Sequence, residues 1–496
     1  MHADSDFADF DFDLDGDLLR EECGIFGVFG LEDAAALTAL GLHALQHRGQ
    51  EAAGICSYDG KQFNLERRLG LVGDHFTRES TIRRLAGTVA IGHVRYSTTG
   101  TTILRNVQPF FSELATGGFA IAHNGNLTNG LHLRRALINS GAIFQSTSDT
   151  EVILHLVARS PHRRLIERFI DALRQVQGGY ALVAMTEKKL IGARDPLGIR
   201  PLVLGRLNDA WILASETCAL DIIGAQFVRE VKNGEVVVIT GTGEEGIESF
   251  YPFPEQPERP CIFEFIYFAR PDSIVGGRSV YEVRKEMGRT LARESAAAAD
   301  VVVPVPDSGV PAALGYAEAS GVPFEPGIIR NHYVGRTFIE PTQKIRALGV
   351  KLKHNANRSV LNGKRVVLID DSIVRGTTSK KIVQMVREAG AAEVHMRIAS
   401  PPITHPDFYG IDTPDQAQLL AATHTLEEMR DFIEADSLAF LSVEGLYRAL
   451  GHERRDPDRP QYTDHCFTGD YPTPLVDQDD QETDPKQLPL LADTGT

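Results

Sequence analysis

Cysteine is scarce and scattered: Cys23, Cys56, Cys218, Cys261 and Cys466 are the only five in 496 residues. An odd, widely spaced set argues against a disulfide framework and for a reducing, cytoplasmic setting. No run of about 18 apolar residues occurs, so no membrane span is expected. Positive charge is in deficit, with 51 Lys and Arg against 67 Asp and Glu and a formal net charge of −16. A general nucleic-acid binder rests on clustered bases and is excluded, whereas small anionic ligands need only a few local donors. The amino terminus lacks a basic stretch followed by an apolar core, so it does not read as a secretory signal. Composition is otherwise ordinary for a globular protein, at 42% hydrophobic and 24% charged. A prior of roughly 100–200 residues per domain gives about two to four domains.

Residues 1–22 hold nine acids and a single base, Arg20. Such a leader repels itself and lacks an apolar pattern, so it is expected to be unstructured. It ends just before Cys23. From 24 to about 240, short strand-like runs (GIFGVFG, TVAIGHVRYST, GGFAIAHNG, YALVAM, GEVVVIT) mix with helical spacing at 33–47 and 129–140. Strands and helices that do not strictly alternate point to an α+β or sandwich layer. Residues 249–261 carry four prolines and read as a domain crossing. From about 278, strand–loop–helix alternation predicts a parallel, doubly wound sheet, with helices at 280–298, 309–320 and 376–389. The expected division is a leader at 1–22, domains at 23–250 and 251–470, and an unstructured tail at 471–496.

Cys23 matters through its position. Removal of the leader after Glu22 frees an α-amino group of pKa about 7.7–8.0, which can serve as base to its own thiol. A cysteine beside a strand is more often a small buried hydrophobe, so its neighbours decide. Arg95 ends one strand and suits a bidentate grip on a carboxylate. Asn124 and Gly125 end another and form the donor pair that an oxyanion needs. Asp149 opens a helix and can hold an ammonium. Each has a plain alternative: a surface ion pair for Arg95, a hairpin turn for Asn124-Gly125, an N-cap for Ser148.

A second constellation follows the apolar run Val366–Ile369. Asp370 and Asp371 stand at the carboxyl end of a strand, where open α/β sheets bind ligands. Ser372, Arg375, Gly376, Thr377, Thr378 and Ser379 follow, offering N–H groups, hydroxyls and a helix start for phosphate. The acids suit ribose hydroxyls or a magnesium ion. By contrast Gly241-Thr242-Gly243-Glu244-Glu245-Gly246 fits a dinucleotide spacing, but no helix follows and a turn is expected.

At this point the chain resembles known families. CGIFG, LHALQHRGQEAAGI, GHVRYSTTG, AHNGNL, SDTE and ARDPLGIRPL are similar to the class II glutamine amidotransferase domain of the N-terminal-nucleophile (αββα) fold. VVLIDDSIVRGTTS resembles, nearly residue for residue, the phosphoribosyl pyrophosphate (PRPP) signature of type I phosphoribosyltransferases, an α/β fold. Both sets in this order, joined by CIFEFIYFARPDS, resemble the amidophosphoribosyltransferase family over roughly residues 23–470.

The resemblance implies that glutamine and PRPP, with water, give 5-phospho-β-ribosylamine, glutamate and pyrophosphate, the first step of purine synthesis. It implies Cys23 as nucleophile, Asn124 and Gly125 as the oxyanion donors, and Arg95 and Asp149 as holders of glutamine. PRPP would be bound by residues 370–372, 375–379 and Arg336, the last in a loop that closes over it. Magnesium would sit on Ser308, Asp370 and Asp371. Purine nucleotides as feedback inhibitors and a homotetramer or dimer are implied too. One branch of the family carries a four-iron four-sulfur cluster on four cysteines. The aligned positions here are Cys261, Asp407, Thr463 and Cys466, so no cluster is expected. A zinc site on Cys261, His465 and Cys466 is conceivable.

A sugar-phosphate amidotransferase would share the first site but not Asp370-Asp371. A PRPP-sensing regulator would not need Cys23, Arg95, Asn124 and Asp149. Mass spectrometry of the mature amino terminus is expected to show a chain beginning at Cys23, and an intact leader on active protein would refute the role given to its amine.

Overall fold

The computed structural model describes residues 20–21, 23–96, 103–331 and 354–478. These form two compact units. The first comprises 20–281, 406–413 and the chain from 455, and the second 282–405 and 414–454.

In the first unit, two antiparallel sheets stack. One has the strand order Gln226–Glu230, Val203–Leu207, Ala210–Ala214, Cys23–Phe29, Val89–Arg95, Ala52–Tyr58, Phe63–Leu69. The other runs Ile247–Phe250, Val236–Ile239, Leu190–Arg194, Gly178–Met185, Gly117–Leu127, Phe110–Leu114. Alternation along each strand feeds two cores at once. Ile25 and Ile91 meet Ala120, Ala122 and Val183 between the sheets. Phe26 and Val28 point the other way, under the helix Ala34–Ala44. The outer face of the second sheet packs on the helices Thr150–Arg159 and Leu165–Leu173 through Phe119, Ile153 and Phe169. This is the αββα layering expected of the fold.

The second unit holds a parallel sheet in the order Val301–Pro304, Arg365–Asp370, Glu393–Ile398, Ser437–Phe440. Val366 and Leu368 share its core with Ile382, Val383 and Val386 of the helix Thr377–Glu388 and with Met429 and Ile433 of Leu426–Ile433. The expected helices appear as Val280–Glu294, Val310–Ser320 and Thr377–Glu388. The glycine-rich 241–246 stretch is a turn and a short 3-10 segment leading into the strand Ile247–Phe250.

Three sequence expectations shift. The line at 250–251 falls inside the first unit, because the proline-rich stretch hydrogen-bonds along it: Arg259 N donates to Leu197 O (2.7 Å) and Cys261 N to Ile199 O (3.1 Å). Leader residues Arg20 and Glu21 form a short strand against Ile411 and Asp412, where backbone pairing needs no apolar pattern; residues 1–19 and 22 lie outside the described residues. Residues 471–478, assigned to an unstructured tail on polarity, are ordered. Asp477 accepts from Leu131 N (2.8 Å) and His132 N (2.9 Å) and so caps the helix Gly130–Asn139 from far along the chain.

A buried ion network binds 47–48 to the 264–273 segment. The fully buried Arg48 guanidinium pairs with Glu216 and, at 2.5 Å, with Glu264; Arg200 lies 3.7 Å from Glu264. Glu216 also accepts from Arg270 N (2.9 Å), Ser273 Oγ (2.7 Å) and His47 Nε2 (2.6 Å). Burial alone would push the Glu216 carboxyl up, but Arg48 and His47 outweigh it and hold it well below the ordinary range. Removing Arg48 would strand two acids in the interior. We therefore expect Arg48→Met to cost about 3–5 kcal/mol in denaturant unfolding. Because the folded-state pKa of Glu216 is depressed, its contribution is present at neutral pH and is lost as pH falls through that depressed value. A wild-type-like unfolding midpoint for the variant would remove the network from any structural role.

Candidate active sites

Cys23 opens its strand directly opposite Arg95, and Arg95 in turn faces Ala52 on its other side. Directly opposed residues in an antiparallel pair have Cβ atoms about 4.5–5.5 Å apart, so the two side chains leave the sheet side by side on the same face. Both are 5% exposed, and Arg95 Nη1 donates to Asn106 O at 3.0 Å, which orients the fork.

The strand Gly117–Leu127 of the other sheet packs against the Cys23 strand and supplies Asn124 and Gly125. Asn124 is fully buried, yet neither its amide nitrogen nor its oxygen has a hydrogen-bond partner among the described residues. Buried amides are rarely left so, and the arrangement fits a group held ready for a ligand. Gly125 has φ +132°, and a Cβ there would meet Gly179 O at 2.1 Å, so only glycine fits. The two sheets are tied just here: His93 Nε2 lies 3.1 Å from the carbonyl oxygen of His123, next to Asn124. Burial, then the nearby Arg95, depress His93 to about 3, so it is neutral and donates that bond.

Asp149 is the residue before the helix Thr150–Arg159 and lies across from the same strand. Its carboxylate accepts from Leu127 N at 3.0 Å and sits 3.6 Å from His123 Nδ1. Burial opposes its charge, but His123 and the Leu127 and Thr150 N–H groups prevail and keep it below the usual Asp range. Glu151 fixes the preceding loop, accepting from Gln145 N (2.8 Å), Ser146 N (2.7 Å) and Ser146 Oγ (2.6 Å). Cys23, Arg95, Asn124, Gly125 and Asp149, which the sequence singles out, all lie in the first unit. Sequence reasoning missed His93, His123, Asn106 and Glu151, whose only signal was adjacency to those motifs.

In the second unit, Asp370 and Asp371 end the Arg365–Asp370 strand and its turn, each 7% exposed. Asp370 accepts from Asp371 N (3.0 Å), and Asp371 from Ser372 Oγ (2.8 Å). Gly376, at φ +78°, turns the chain into the helix that carries Thr377, Thr378 and Ser379. Arg375 reaches outward to Gln418 Oε1 at 3.0 Å. The loop bearing Ser308 is drawn to the strand end, with Val305 N donating to Ile369 O at 2.8 Å. A Cβ on Gly309 would stand 2.4 Å from that same carbonyl, which explains the glycine. Arg330 pairs with Asp307 of this loop. Arg336 and the remainder of the basic loop lie outside the described residues.

The four positions aligned with cluster cysteines also come together in the first unit. Cys261 forms a backbone bridge with Thr463, and Cys466 and Asp407 both contact His465.

Two family models match: a glutamine amidotransferase domain over residues 93–221 and a phosphoribosyl transferase domain over 283–399. The amidophosphoribosyltransferase of Rhizobium etli is 66% identical over 97% of this chain and 98% of its own length. That of Bacillus subtilis is 50% identical over 92% and 95%. The chain belongs to the amidophosphoribosyltransferase family. Among solved structures, the Bacillus subtilis glutamine PRPP amidotransferase complexed with ADP and GMP matches with a TM-score of 0.86 at 49% identity, covering 91% of this chain and 98% of that one.

The sequence reading makes Asn124 an oxyanion donor, and removing one such donor typically costs about 10²–10³ in kcat. Asn124→Ala is therefore expected to lower glutaminase kcat by that factor while unfolding like the parent, since no protein partner is lost. Asp149→Asn should instead raise KM for glutamine. In the parent that KM should stay flat as pH drops through the ordinary Asp range and rise only below it. An unchanged kcat in Asn124→Ala would remove Asn124 from the oxyanion site.

Proposed function

We propose that this chain is an amidophosphoribosyltransferase. It transfers the amide nitrogen of glutamine, as ammonia, to C1 of PRPP, giving 5-phospho-β-ribosylamine, glutamate and pyrophosphate at the entry to purine synthesis. The observation that carries the reading is the presence, in one chain, of two assembled centres. One opposes Cys23 to Arg95 beside an unpartnered Asn124. The other sets Asp370-Asp371 ahead of a Gly376-led helix start.

Cys23, with its amine freed from the leader, attacks the amide carbon of glutamine. Arg95 holds the α-carboxylate, Asp149 the α-ammonium, and Asn124 with Gly125 the developing oxyanion. Ammonia leaves, and water releases glutamate from the thioester. In the second unit the 376–379 turn receives the 5-phosphate, and Asp370 and Asp371 face the ribose. Arg336, in the basic loop, joins them on PRPP. Ser308, Asp370 and Asp371 offer hard oxygen donors in the number and type that fit Mg2+. Such an ion, when bound, offsets the charge of the departing pyrophosphate.

An iron–sulfur cluster does not fit. Only two thiols stand at its four positions, Thr463 Oγ1 donates to Arg259 O at 2.6 Å, and Asp407 Oδ2 already accepts from Tyr409 N and Ile411 N. A cytoplasmic homo-oligomer, dimer or tetramer, restrained by purine nucleotides completes the proposal.

The roles separate cleanly by nitrogen source. Cys23→Ser should lose glutamine-dependent phosphoribosylamine formation and keep the ammonia-dependent reaction. Asp370→Asn and Asp371→Asn should lose both while leaving glutaminase chemistry at Cys23 in place. Full glutamine-dependent activity in Cys23→Ser would overturn the assignment of the first centre, and pyrophosphate release by both aspartate variants that of the second.

A further inference from the structure

Three segments of the first unit converge on Asp407. The turn at Cys261 is bridged to Thr463, with Ile262 N donating to Thr463 O at 3.1 Å. The short helix His465–Thr468 follows immediately. The 406–413 segment supplies Asp407 itself.

One oxygen of Asp407 is committed and the other is not. Oδ2 accepts from Tyr409 N (2.8 Å) and Ile411 N (2.7 Å), which closes the loop on itself. Oδ1 is buried and has no aligned hydrogen-bond donor among the described residues, although His465 Nε2 is 2.8 Å away. Cys466 Sγ lies 3.4 Å from the same nitrogen. The three donor atoms lie within 4.8 Å of one another, and all three residues are buried. A carboxylate oxygen, an imidazole nitrogen and a sulfur therefore lie together away from water. The buried carboxylate is already matched by His465 at 2.8 Å and by the charge of Arg200, and a metal ion held by all three donors would take the place of the proton between Asp407 and His465.

The donor set identifies the class of cation. Magnesium and calcium take oxygens alone. A four-iron cluster needs more thiolates than two. Mixed O, N and S donors suit zinc, with bonds of about 2.0–2.3 Å. Tetrahedral edges for such bonds are about 3.3–3.7 Å; the 3.4 Å between His465 Nε2 and Cys466 Sγ fits, and the 2.8 Å between His465 Nε2 and Asp407 Oδ1 would open by about half an ångström. We propose that Asp407, His465 and Cys466 bind one zinc-class ion.

This ion ties the 406–413 segment to the carboxyl-terminal part of the unit. The segment lies behind the oxyanion strand: Asn126 Nδ2 donates to Phe408 O at 3.0 Å, and a Cβ on Gly410 would stand 3.0 Å from the Gly125 Cα. The ion thus stiffens the backbone at Gly125 without touching glutamine.

The full-length protein, purified under reducing conditions without chelator, should contain one zinc per chain and no stoichiometric iron or sulfide. Exchange with cobalt(II) should give a near-ultraviolet thiolate-to-cobalt band that Cys466→Ser abolishes. Asp407→Asn, which keeps shape and the Oδ-side backbone bonds, should purify folded and zinc-depleted, with a lower melting temperature that added zinc does not restore. Zinc far below stoichiometry in the parent, together with no cobalt band on titration, would overturn the proposal. So would stoichiometric iron with acid-labile sulfide. Neither result depends on glutamine or PRPP turnover, so the proposed reaction stands or falls separately.

Discussion

A single strand register governs the first site. Cys23 faces Arg95 because the strands Cys23–Phe29 and Val89–Arg95 pair without a bulge over seven residues. Strand side chains alternate with a period of two, so a one-residue slip would turn the thiol to the opposite face and bring Phe26 and Val28 out of their core. The hydrophobic pattern that builds two cores from one strand is thus the same constraint that aims the Cys23 thiol. The cross-sheet bond from His93 to the His123 carbonyl then sets the second sheet against the first at the level of Asn124.

The two candidate sites hold their polar groups differently. The first relies on charge held in the interior: Arg95 is anchored by a carbonyl, and Asp149 is kept ionised by N–H groups and a histidine despite burial. The second relies on backbone shape: a left-handed Gly376 starts a helix, and Gly309 lets a loop approach the strand end at Ile369. Glycine is required in both units, at Gly125 in the first and at Gly309 and Gly376 in the second.

Much of this was legible in the sequence. Period-two apolar runs with glycine breaks gave the sandwich strands, and the apolar run ending in Asp370-Asp371 gave the parallel strand and its ligand end. What escaped notice was long-range and polar. Arg48 sits in a motif, but nothing local says that its partners are Glu216 and Glu264. His93 reads as one more strand residue until its bond across the sheets is seen. The segment 249–261 looks like a domain crossing because proline marks breaks in regular structure, and proline says nothing about which unit the break lies against. Asp477 falls in a polar stretch whose composition resembles a tail, and only the distant Gly130–Asn139 helix gives it a task.

That last contact bears on how the carboxyl terminus can be altered. The first-turn N–H groups of Leu131 and His132 belong to the helix that begins just after the strand carrying Asn124 and Gly125, and their acceptor arrives from nearly 350 positions later in the chain. Trimming the protein back to the end of the second unit would uncap that helix next to the strand of Asn124 and Gly125. Fusions appended beyond Gln478 spare it, so the place where a tag is joined has consequences for packing in the amino-terminal half of the sequence.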